Sequence, residues 1–154
     1  MKARTIALTL VLCFTAAAIC AASDAAMGTW KLNEAKSKFP PGATKNQTVI
    51  YEAAGDQVKV TVQGTTADGK AVQSEWTGKF DGKFYPLTGD PNADQRAYKQ
   101  VNDRTLEITS KKGDKVVSTT RVEIARDGKS RTVTSNATDS MGKTTKIVAV
   151  YDKQ

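Results

Sequence analysis

Gln57-Val58-Lys59-Val60-Thr61-Val62-Gln63-Gly64-Thr65-Thr66 runs through Ala67 into Asp68-Gly69-Lys70 and then into Ala71-Val72-Gln73-Ser74-Glu75-Trp76-Thr77-Gly78. Val58, Val60 and Val62 alternate with Gln57, Lys59 and Thr61, the period of a strand with one buried face. Beyond the turn, Val72, Ser74, Trp76, Gly78 and Phe80 share a second such face. Glycine reaches positive φ at little steric cost, and a tight hairpin needs that conformation. The stretch therefore reads as two antiparallel strands joined by a short turn.

The same turn recurs along the chain as Asp81-Gly82-Lys83, Gly113-Asp114-Lys115, Asp127-Gly128-Lys129 and Met141-Gly142-Lys143. Upstream, Gly28-Thr29-Trp30-Lys31-Leu32 reads as a first strand. Asn33 to Ala43 is polar, contains Pro40-Pro41-Gly42 and reads as a loop with one helical turn at Glu34–Ser37. Thr44–Ala54 carries Val49, Tyr51 and Ala53 on one face, and Gly55-Asp56 turns the chain back. Phe84–Gly89 is a short strand interrupted by Pro86, which places it at an edge or a kink. Asp90-Pro91-Asn92-Ala93-Asp94 is the one substantial loop of the meander. Gln95–Val101, Thr105–Lys112, Val116–Arg126, Ser130–Thr138 and Thr144–Lys153 follow. The fold class is all-β: an up-and-down antiparallel meander of about ten strands. Such a sheet has exposed edges unless it closes, and closure into a barrel removes them. A sandwich would need long crossovers, and the connections here are short.

Lys2 and Arg4 precede an apolar run, Ile6 to Ile19, which ends in small residues. This is the pattern of a signal peptide over residues 1–22, with cleavage as late as 26, and residues 23–154 form a single domain. Cleavage removes Cys13 and Cys20, leaving no thiol in a domain of about 130 residues, enough for one core. Lipoprotein anchoring at Cys20 is disfavoured because Ile19 stands where that pattern has a small residue. Losing Lys2 and Arg4 leaves 21 of the 23 basic residues against 16 acidic ones, so the formal charge falls from +7 to +5. The lysines are scattered through turns and alternate with acids. They read as solvated, edge-protecting charge rather than a nucleic-acid patch. An anionic envelope polymer or lipid headgroup is the partner such charge would attract.

Several chemistries are excluded. The chain has no histidine, and the cleaved chain has no cysteine, so imidazole bases, thiolate nucleophiles and ordinary zinc spheres are absent. There is no phosphate loop or dinucleotide fingerprint. Asp90, Asn92 and Asp94 have the alternate spacing of a calcium loop, but Pro91 breaks the match. Glu52, Glu75, Glu107 and Glu123 alternate with apolar neighbours and belong on the solvent face. The expectation is a protein that is not an enzyme and holds no cofactor or metal.

Gly28-Thr29-Trp30 opening the first strand, Lys31-Leu32-Asn33, Ser37-Lys38-Phe39, the Asp-Gly-Lys hairpins and a closing Val148-Ala149-Val150-Tyr151 together resemble a bacterial lipocalin-like domain of the calycin group. The resemblance covers nearly the whole mature chain. It implies a lipocalin-like barrel whose closed end is plugged by Trp30, with Gly28 beside it, and a role in carrying small apolar molecules. The last strand is also similar to that of the intracellular fatty-acid carriers, which place an Arg-x-Tyr pair there. Tyr151 fits, but Ala149 stands at the arginine position, and Asn33–Ala43 is too short for those carriers' two-helix lid. The carboxylate clamp of that group is therefore not expected.

The Val116, Ser118, Thr120, Val122, Ile124 face is apolar at both ends and hydroxylated in the middle, and Arg96, Tyr98 and Gln100 share another face. A few polar groups among aliphatic and aromatic walls make a small-molecule site. The candidate ligand-binding residues are Trp76, Arg96, Tyr98, Ser118, Thr120 and Tyr151. The expected function is an exported, monomeric binding protein, periplasmic or secreted, for a small, mainly apolar ligand held non-covalently. The alternative is a ligand-free interaction module of the cell envelope that uses its basic surface and the loops Asn33–Ala43 and Asp90–Asp94.

Overall fold

The computed structural model describes residues 24–138 and 141–154. The expected signal peptide, with Cys13 and Cys20, lies outside the described residues. One 3-10 turn, Asp24–Ala26, leads into ten strands: β1 Gly28–Lys38, β2 Lys45–Ala54, β3 Gln57–Thr65, β4 Ala71–Gly78, β5 Asp81–Thr88, β6 Gln95–Asn102, β7 Thr105–Lys112, β8 Lys115–Ile124, β9 Ser130–Thr138 and β10 Thr144–Lys153. Each strand pairs with its neighbours in sequence, and β1 pairs with β10 to close the barrel. The expected meander is present, and its glycines at 55, 69, 82, 113, 128 and 142 all have positive φ.

An up-and-down meander delivers its connections alternately to the two ends. The β2–β3, β4–β5, β6–β7 and β8–β9 turns gather at one end, with the start of β1 and the finish of β10. The two long loops, 39–44 and 89–94, lie together at the other end.

Three expectations need correction. Asn33–Ala43 is not one loop. β1 continues to Lys38, with an irregularity between Asn33 (opposite Val150) and Lys38 (opposite Val148). The Ser37 hydroxyl makes this possible: it accepts the Val150 N–H at 2.9 Å and donates to the Asn33 carbonyl at 2.7 Å, taking the place of a ladder bond. Val116 is not on the inner face. A bulge leaves Val117 between the pairs Lys111–Val116 and Ser110–Ser118, which turns Val116 outward, where it is exposed. Asp81-Gly82-Lys83 is not the tip of a hairpin. Asp81 already pairs with Lys99 at the start of β5, and β5 meets β4 only at Glu75–Thr88 and Trp76–Leu87. The rings of Trp76 and Tyr85, 5.7 Å apart and edge to face, lie against Gly78 and hold the two strands apart.

Candidate functional site

The interior divides into two halves. Toward the closed end Trp30, Tyr51, Val60, Trp76, Tyr98, Leu106, Val122, Ile124 and Tyr151 are all buried. The Trp30 indole donates its Nε1–H to the Ala26 carbonyl at 2.9 Å, so the N-terminal turn is tied across the floor. Trp76 and Tyr98 centroids are 4.4 Å apart, Phe80 stacks on Tyr98 at 5.4 Å, and Tyr51 meets both Phe80 and Tyr98 edge-on at 6.3 Å. Such ring pairs contribute about 0.5–1.5 kcal/mol each beyond their buried area.

In this floor lies Arg131, which the sequence reading did not single out. It is only 3 % exposed. Its guanidinium carbon is 4.7 Å from the Trp30 ring centre, 5.0 Å from Tyr151 and 5.1 Å from Tyr51. Neither Nε nor Nη1 has a hydrogen-bond partner among the described residues. Arg131 faces inward because it pairs with Tyr151 on one side and Ile124 on the other, both buried. The signal was present in the alternation Arg131, Val133, Ser135, Ala137. The opposite face of β9, however, is Ser130, Thr132, Thr134, Asn136 and Thr138, so neither face looked clearly apolar.

Toward the open end the inward positions change character. Period-2 continuation of the buried positions places Val62, Ser74, Ile108, Ser118, Thr120, Val133, Ser135, Ala137 and Ile147 on the inner wall. All are half-buried rather than buried. These are small side chains in a barrel of ten strands. A barrel of about eight strands is just wide enough for side chains to fill, and diameter grows with strand number. These inward positions of the upper wall accordingly keep partial exposure instead of the full burial of the lower half. One side of it is hydroxylated: Thr120 donates to Ser135 at 2.8 Å, and Ser110 and Ser118 are opposite in register.

Arg96 links this wall to the mouth. Its Nε donates to Ser110 Oγ at 2.9 Å, and its Nη2 lies 3.3 Å from Asp90 Oδ2. The two side chains are 15 % and 23 % exposed, so this pair is largely sheltered, unlike the others on the surface. Asp90 also accepts the Asn92 N–H, and Asp94 accepts the Gly113 N–H. Leu87 donates its N–H to the Asp94 carbonyl, and Ala93 is buried. The loop 89–94 is thus a fixed cap, and its carboxylates are committed to these bonds. The loop 39–44 carries one internal backbone bond, from Ala43 to Pro40.

The candidate residues consequently fall into two groups. Arg96, Ser118 and Thr120 line the upper wall. Trp76, Tyr98 and Tyr151 belong to the packed lower half: Trp76 donates to the Arg96 carbonyl at 2.8 Å, and Tyr151 to the Asn46 carbonyl at 2.8 Å. Burial raises the Tyr151 phenol to about 12, against the opposing pull of Arg131. Burial raises Tyr98 further, and both Arg96 and Arg131 act on it in the opposite sense. Gly28 and Trp30 are at the floor. Glu75, Glu107 and Glu123 are in ion pairs with Lys59 and Arg121 on the outer surface. Outside the lumen, a depression of about 450 Å³ lies between the β6–β7 and β8–β9 turns, lined by Asp103, Arg104, Glu123 and Arg126 among others.

No family model matches the chain, and no curated protein matches it. Among solved structures it is similar to the Schistosoma mansoni fatty acid binding protein in complex with arachidonic acid. That likeness has 14 % identity and a TM-score of 0.58, and it covers 86 % of this chain and 98 % of the other. It is also similar to a redesigned β-barrel, mFAP1, bound to DFHBI, with 15 % identity and a TM-score of 0.46, covering 85 % and 97 % of the two chains. At these identities the likeness is one of fold. The chain folds as a ten-stranded closed antiparallel barrel, the fold it shares with that fatty acid binding protein.

Proposed function

We propose that this protein binds a small, mainly apolar molecule non-covalently in the upper half of its barrel. The observation that carries this reading is the inner wall itself, where short side chains from β3, β4 and β7–β10 stand half-buried on the face that should be core. Aliphatic Val62, Ile108, Val133 and Ile147 would supply burial at about 25 cal/mol per Å². Arg96, Ser118 and Thr120 would orient a polar group. The ligand named for the similar fatty acid binding protein has this amphipathic character. The reading includes export, a monomeric state and a role without catalysis, in keeping with the leader-like N-terminus and the lack of histidine and cysteine in the mature chain.

Native mass spectrometry of the protein purified from its own host tests this. A reproducible non-covalent added mass is expected, and it should vanish when the lumen is filled by Ala137→Trp together with Ser118→Phe at unchanged Tm. A barrel that is always empty and takes up no long-chain alcohol in titration would sink the reading.

A further inference from the structure

On one side of the upper wall, hydroxyls from three adjacent strands stand together: Ser110 on β7, Ser118 and Thr120 on β8, and Ser135 on β9. Ser110 is opposite Ser118 and Thr120 is opposite Ser135, which makes Ser118 and Ser135 diagonal neighbours on one face. The direction of their hydrogen bonds decides what they lack. Arg96 Nε can only donate, so Ser110 Oγ accepts that bond and keeps its own proton to place. Thr120 donates to Ser135 Oγ at 2.8 Å, so the Ser135 proton also points elsewhere. Ser118 donates to no group among the described residues. Backbone carbonyls do not serve, because β8 and β9 pair without interruption from Ser118–Ala137 to Ile124–Arg131. The Asp90 carboxylate at the mouth is held by Arg96 and the Asn92 N–H. The wall thus offers hydroxyl protons and no acceptor for them, an imbalance that buried polar groups rarely keep. Ser118 and Ser135 are half-buried rather than buried, so the lumen reaches both.

We infer that the ligand supplies the acceptor as a neutral carbonyl oxygen, in a ketone, ester or lactone, which takes the Ser118 and Ser135 O–H bonds through its two lone pairs. The apolar body then lies against Ile108, opposite Thr120, and Ile147, opposite Ser135. This rests on the proposed function and narrows its ligand class. A hydrocarbon would leave the protons unpaired. An alcohol would bring a further proton to a wall that already has an excess. A carboxylate would lose its hydration with no unmatched cation on this wall, since Arg96 is already paired with Asp90.

The test compares 9-fluorenone with fluorene, which share a ring body and differ in the carbonyl, by equilibrium dialysis against the purified protein. Fluorenone should bind about tenfold more tightly, the size expected of two neutral hydrogen bonds. In the double variant Ser118→Ala with Ser135→Ala the two affinities should converge, with fluorene binding unchanged. Should that variant not fold, the infrared C=O stretch of fluorenone bound to the unmutated protein gives the answer. It should lie below its position in hexane, because accepting hydrogen bonds weakens the C=O bond. Equal affinity for the two probes, a preference that survives in the double variant, or a bound C=O stretch as in hexane overturns the inference and leaves the apolar-ligand reading standing. Uptake of a long-chain alcohol but of neither probe does the same. Uptake of none of the three overturns both.

Discussion

Gly89→Ala should be among the most damaging single methyl additions to this barrel, and the structure gives the reason in two parts. Gly89 has φ +79°, and an added Cβ would sit 2.1 Å from the Gln73 carbonyl oxygen and 3.2 Å from Ser74 Cα. Gly69 has nearly the same φ, +80°, with nothing within 4 Å of an added Cβ. Gly69→Ala therefore isolates the conformational cost, roughly 1–2 kcal/mol for a side chain in the left-handed region. Gly89→Ala adds a collision with backbone, which cannot swing aside as a side-chain tip would. Overpacking of that kind costs about 1–3 kcal/mol more. The expected totals are about 1–2 kcal/mol for Gly69→Ala and about 2–5 kcal/mol for Gly89→Ala, a Tm gap of roughly 4–12 °C at this chain length. Equilibrium urea unfolding, read through the fluorescence of Trp30 and Trp76, measures both. Equal destabilisation of the two variants would refute the argument that the 89–94 cap is locked by contact with β4. A second consequence can be read from the same samples. Displacing Gly89 moves Asp90, so the sheltered Arg96–Asp90 pair should loosen and ligand uptake should change in Gly89→Ala but not in Gly69→Ala.

Alkaline pH should weaken the fold through its buried phenols. The folded pKa of Tyr151, about 12, lies above its unfolded value of about 10, so stability is fully present below about pH 10. It then falls by about 1.4 kcal/mol per pH unit toward pH 12. Tyr98 adds to the loss in the same direction, and Tyr151→Phe should flatten the slope in urea midpoints taken at pH 9, 10 and 11. Leu106→Ala, at a site 1 % exposed, should cost about 2–5 kcal/mol by calorimetry, and a cost under 1 kcal/mol would mean that the lower half is loosely packed. Ser37→Ala should cost about 1–3 kcal/mol, because it strands the Val150 N–H, with amide exchange at Val150 as the local readout. Arg121→Ala, which breaks two half-exposed ion pairs to Glu107 and Glu123, should change stability by less than about 1 kcal/mol.

The barrel was legible because its information is local. Val58, Val60 and Val62 against Gln57, Lys59 and Thr61 set a period, the Gly-Lys turns set the reversals, and an antiparallel meander with short turns has few ways to hide its edges. The floor position of Gly28 and Trp30 came instead from the resemblance to lipocalin-like barrels. Trp76, Tyr98 and Tyr151 were legible as inward residues, but not as members of the packed half rather than the lined half. That distinction depends on height along the barrel axis, which follows from register and not from alternation.

What the sequence alone determined is the strand period, most of the turn positions, the all-β class and the set of chemistries that lack the residues to run. What only the tertiary structure decided is where each residue stands relative to residues far away in the chain. Ser37 repairs the ladder of a strand more than a hundred residues distant. The bulge at Val117 turns Val116 outward. The two long loops are delivered to the same end of the barrel. Arg131, on a strand whose two faces look alike in the sequence, is brought beneath three aromatic rings contributed by β1, β2 and β10. The physical reason is the same each time. Alternation and turn propensity act over a few residues, whereas burial, charge pairing and lumen width arise only when ten strands close on one another.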